Sequence, residues 1–149
     1  MEADSKTLAE TQRQLLAEDV VPLGAMQTWA DEQIAAMSEP PYWLIAVSMA
    51  KSTEDALSAL ADVPGTANGL FVWTALTRAW REILGQQPER DSEIAKHLYF
   101  IGMQGRSPIP GIDGDLMSFW DAIDLARDGT YGSLEAERKR LRVFLERWA

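Results

Sequence analysis

The chain's single imidazole, His97, stands four residues after Glu93, so the two side chains share a face if the segment is helical. Such a pair can orient a general base or offer two metal ligands. A catalytic zinc site takes three protein ligands, however, and there is no second histidine to complete one. Because cysteine is absent, thiolate nucleophiles, zinc ribbons, iron–sulfur ligation and disulfide scaffolds are excluded together. No serine occupies a GxSxG elbow, and the glycine-rich stretch GMQGRSPIPGIDGD carries neither a phosphate-loop Lys-Ser/Thr ending nor a dinucleotide fingerprint. A binding protein rather than an enzyme is expected, with His97 structural, no catalytic residue and no cofactor.

Carboxylates are the second group able to do chemistry. Asp121, Asp124 and Asp128 are spaced i, i+3 and i+7, which gathers them on one side of a helix, and Asp113 and Asp115 lie just upstream. Oxygen-seeking Mg²⁺ or Ca²⁺ would suit such a group, and a carboxylate-metal hydrolase is one alternative function. The Asp-Gly-Asp fragment lacks the other positions of a calcium loop, including its terminal glutamate, so no metal is assigned. Two further uses compete: a solvated face whose repulsion Arg127 relieves, and a docking surface for a basic partner. Ile109 and Ile112, set among Pro108, Pro110 and glycines, either form an apolar tip that enters that partner or pack inward.

The six tryptophans are Trp29, Trp43, Trp73, Trp80, Trp120 and Trp148. Most belong to a core, since an aromatic stripe at helical spacing is ordinarily buried. Trp73 and Trp80, seven apart, with Trp120 from a neighbouring helix, define the alternative of a small-molecule-binding regulatory domain with a pocket between helices.

The elements that must position these residues are helical throughout. Between punctuation marks the apolar residues recur at three and four, not two. Helices are expected over about Ser5 to Glu18, from Pro22 to Met37, from Ser52 to Pro64, from Ala67 to Leu84 with Gly85 as a left-handed stop, from Asp91 or Ser92 to Ile101, before Gly129, and from Ser133 onward. Ser52 and Asp55 approximate a capping box, and Asp113 or Asp115 is the expected cap of the sixth helix. The run Tyr42 to Ala50 favours a helix, with one strand as the alternative. The fold expected is an all-α, single-domain bundle of six or seven helices, because 149 residues fill one core.

Charge narrows the partners. Fourteen Lys and Arg against 23 Asp and Glu give −9, a sign that repels nucleic-acid phosphate and anionic lipid and attracts cations. Only the last segment is basic, with Arg138, Lys139, Arg140, Arg142 and Arg147 available to pair within the bundle or with a second subunit. No export signal is read at the start and no apolar run approaches the ~20 residues of a membrane span, so a cytoplasmic protein is expected. Taken together, these features fit an acidic protein-binding module, an inhibitor or immunity-type protein that neutralises a basic toxin or nucleic-acid-handling enzyme. The expected contacts are Asp113, Asp115, Asp121, Asp124 and Asp128 with Ile109 and Ile112.

Overall fold

A computed structural model describes residues 3–149 and is all-α, with eight α-helices and no strand among the described residues. In order they are α1 (Ser5–Ala17), α2 (Leu23–Ala35), α3 (Tyr42–Ser48), α4 (Thr53–Ala61), α5 (Gly69–Gln86), α6 (Asp91–Met103), α7 (Asp113–Arg127) and α8 (Leu134–Leu145). Short 3₁₀ turns at Pro88–Arg90 and Glu146–Trp148 precede α6 and follow α8. Contacts along the chain gather into two units, Met1–Val72 and Trp73–Ala149.

The first unit packs α1 to α4 around Ala9, Leu16, Met26, Ala30, Leu44, Val47, Ala56 and Leu60. α1, α4 and α5 start where a side chain satisfies a free N–H group of the first turn, whereas α2 and α3 open after Pro22 and Pro41 with no side-chain cap. Asp4 accepts from Thr7 N at 2.7 Å, Ser52 from Asp55 N at 3.1 Å, and Asn68 from Phe71 N at 3.2 Å. The Tyr42 to Ala50 run is helical: Pro41 opens α3, and Leu44 and Val47, three apart, are its buried positions. Met37 falls beyond the end of α2 and is exposed, and Leu70 sits in the first turn of α5 and leaves the interior to Val72 and Trp73.

The second unit is built on α6 and α7, which run antiparallel. Ser92 meets Asp124, Lys96 lies over Trp120, and Gly102 meets the first turns of α7. Gly102 permits this approach: a Cβ there would lie 2.8 Å from the Asp113 carbonyl oxygen and 3.0 Å from the Leu116 and Met117 side chains. On the other flank of α7, Phe119 packs on Phe144 of α8 with ring centroids 5.0 Å apart. Leu141, Phe144 and Leu145 of α8 are buried, while Leu134 and Trp148 are only half-buried.

Several expected boundaries move here. Gly85 is not a left-handed stop but lies inside α5, which continues to Gln86; Gln87 N still donates to Ile83 O at 2.7 Å, and Pro88 ends the run. α6 extends through Gly102 and Met103, which shortens the glycine-rich connection to residues 104–112. Neither Asp113 nor Asp115 caps α7. The cap position is Ile112, without a side-chain bond, and both acids lie in the first turn, where the helix dipole favours negative charge. At the far end Gly129 adopts φ +73° and Thr130 N donates to Leu125 O at 3.0 Å, closing α7 in the expected left-handed manner.

Candidate functional site

On its outer face α7 gathers four aspartates. Its buried residues, Leu116, Phe119, Ile123 and Ala126, define one side. At 3.6 residues per turn, Asp113, Asp124, Asp128 and Asp121 fall within about 80° of arc on a different side. Asp113, Asp121 and Asp128 are exposed, with no side-chain hydrogen bond or ion pair among the described residues. Asp124 is half-buried and accepts from Ser92 Oγ at 2.8 Å.

Asp115 leaves this group. It projects from the opposite flank, 3.7 Å from Arg147, and lines a groove with Phe119, Arg140 and Phe144. The expected apolar tip is also absent. Ile112 is buried at 4% exposure and Ile109 is half-buried, so the prolines and glycines around them turn the chain and send Ile112 into the core.

The cation expected to relieve this face is engaged elsewhere. Arg127 Nη2 is paired with Asp91 Oδ1, while Arg138 Nε of α8 donates to Oδ2 of the same carboxylate at 2.6 Å. Ser92 N adds a third bond at 2.7 Å. Asp91 has 0% exposure, so the two guanidinium groups and one amide replace its water. By local spacing alone Asp91 marks only the start of a helix. It is instead the point at which α6, α7 and α8 are tied together.

The basic helix is likewise spent largely inside its own unit. Arg140 Nε donates to Glu137 at 2.9 Å, its Nη1 donates to Ser118 Oγ at 3.1 Å, and its guanidinium lies 4.2 Å from the Phe119 ring centroid. Arg147 lies 5.0 Å from the Phe144 ring centroid. Lys139 and Arg142 line a surface groove with Pro88 and Leu134.

The three tryptophans proposed as one pocket belong to three aromatic groups. Trp73 meets Trp148 edge-on at 5.5 Å, Trp80 lies 6.2 Å from His97, and Trp120 packs with Tyr99 at 5.3 Å and Phe100 at 6.0 Å. Trp73 Nε1 is buried without a hydrogen-bond partner. His97 therefore packs against an indole, while Glu93, its expected companion, is held by Arg90 through two bonds of 2.9 Å. That ion pair keeps the Glu93 carboxyl below the usual glutamate range. Among the described residues no three His, Asp or Glu side chains converge closely enough to hold a metal ion. No helix among them is long and apolar enough to cross a membrane.

Compared with known protein families, curated proteins and solved structures, the chain finds no match in any of the three.

Proposed function

We propose that this chain is an acidic protein-binding module that neutralises a basic partner, such as a toxin or a nucleic-acid-handling enzyme, through the outer face of α7. One observation carries this reading. The clamp on Asp91 takes up Arg127, the only cation within α7, and among the described residues Asp113, Asp121 and Asp128 make no ion pair. Carboxylates repelling one another along a helix destabilise it by a few tenths of a kcal/mol per pair, and a cationic surface laid against them relieves that cost. The net charge of −9 adds long-range attraction for the same class of partner and disfavours nucleic acid as a ligand. A cysteine-free chain suits the reducing cytoplasm, where we place its action.

The other two readings have less behind them. A tryptophan-lined pocket for a small molecule needs Trp73, Trp80 and Trp120 to converge, and their ring contacts lie in separate groups. A metal-dependent hydrolase needs clustered carboxylates, and those of α7 spread along the helix.

The test replaces Asp121, Asp124 and Asp128 together with Asn and follows association with an octa-arginine peptide at low ionic strength. Association is expected to slow on the order of tenfold while the far-ultraviolet circular dichroism stays unchanged, because steering by charge acts on the encounter. An unchanged rate would remove the assignment of this face.

A further inference from the structure

Where α6 and α7 run side by side, their seam opens into a recess of about 420 Å³ lined by Tyr99, Trp120, Asp121 and Asp124. Tyr99 and Trp120 meet edge to face at 65° with centroids 5.3 Å apart, so two rings of different orientation wall the recess. Aromatic faces carry the negative end of the ring quadrupole, and the two carboxylates add full charges of the same sign. An anion would be repelled here, and an apolar group would desolvate the carboxylates without compensation. A cation on a flexible stem is matched on both counts.

The chain makes part of this contact with itself. Lys96 Nζ lies 5.6 Å from the Trp120 ring centroid, and Lys96 is exposed with no ion pair among the described residues. Its ammonium shows that the half-buried Trp120 ring takes a cation at this range without an ion pair to hold it. Ser92 steadies the acidic wall through its 2.8 Å bond to one oxygen of Asp124.

We infer that this recess receives a cationic side chain, the guanidinium or ammonium of a basic protein partner, which displaces Lys96 from Trp120 and is held between the two rings and the carboxylates of Asp121 and Asp124. The inference rests on the reading of α7 as the face for a basic partner and names the pocket in which that partner is anchored.

The experiment measures binding of fluorescein-labelled octa-arginine and octa-lysine by anisotropy at low salt. Trp120→Leu is expected to weaken binding roughly two- to five-fold, the loss of one partly exposed cation–π contact. Lys96→Met keeps the apolar stem, removes the competing ammonium and is expected to tighten binding more than Lys139→Met, which removes the same charge from α8. Because Lys96 is a surface residue, that comparison stands even if Trp120→Leu disturbs the fold. If Lys96→Met and Lys139→Met act equally, or a folded Trp120→Leu binds like wild type, the recess is overturned. In that case weakening by Asp121→Asn with Asp124→Asn leaves the α7 face intact as the docking surface. Failure of the wild-type protein to bind either peptide through these aspartates overturns both.

Discussion

Asp91 is fully buried, yet both of its carboxylate oxygens meet a guanidinium, one from α7 and one from α8. Removing one member of such a group leaves the others buried and uncompensated, so the loss exceeds the net worth of the contacts. Asp91→Ala is expected to lower unfolding free energy by about 3–5 kcal/mol, read from urea melts. A change below ~1 kcal/mol would show that the arginines are satisfied by water instead. At Glu10, burial pushes the carboxyl pKa up, but the hydrogen bonds from Arg13 and Gln14 outweigh it, and the folded-state value is lowered. A lowered carboxylate contributes stability that is complete above its unfolded pKa and is lost as pH falls through the folded value. The advantage of wild type over Glu10→Gln in urea midpoint is therefore expected to be full at neutral pH and to shrink through the acid range below the usual glutamate value. An advantage that persists undiminished in acid would contradict it. Legibility in the sequence tracked the reach of each interaction. Ser52 and Ser133 bond to amides three residues on and could be read as caps, whereas the partners of Asp91 lie 36 and 47 residues away, beyond any local spacing.

At the scale of elements, the periodicity of apolar residues was sufficient to place the longer helices, whereas the short apolar run of α3 fits either period and left a strand open. Buried Leu44 and Val47 at i and i+3 after a proline decide for helix. Helix ends were less legible, because Gly85 is also compatible with a helix interior when the next residues keep bonding, and only Pro88 forbids continuation. The carboxylate face of α7 followed from spacing, but Asp115 was grouped with it by proximity in sequence. Two residues advance a helix by about 200°, which carries Asp115 away from Asp113 and toward α8. The packing of α6 on α7 depends on the missing side chain of Gly102. Gly102→Ala is expected to cost about 1–3 kcal/mol despite the better helix propensity of alanine, since the obstructing Asp113 oxygen at 2.8 Å is backbone and cannot rotate away. A neutral or stabilising effect in thermal melts would mean that the two helices separate without penalty.

At the scale of the molecule, charge is divided unevenly between the two units. Residues 1–72 hold 3 basic and 11 acidic groups, net −8, whereas residues 73–149 hold 11 and 12, net −1. Long-range attraction of a cation is therefore mostly a property of the first unit, while the docking face assigned to α7 lies in a unit whose charges nearly cancel in sum but are sorted by helix. Neither feature is visible from the total of −9. Diffuse attraction and specific docking thus make opposite predictions about where a polycation settles. The deciding measurement is a residue-by-residue ¹H–¹⁵N titration with octa-arginine at moderate salt, where screening removes the diffuse part first. Perturbations centred on Tyr99 and on Trp120 through Asp128 are predicted, whereas shifts centred on the exposed acids Glu32, Glu39, Glu54 and Asp62 would contradict a docking face on α7.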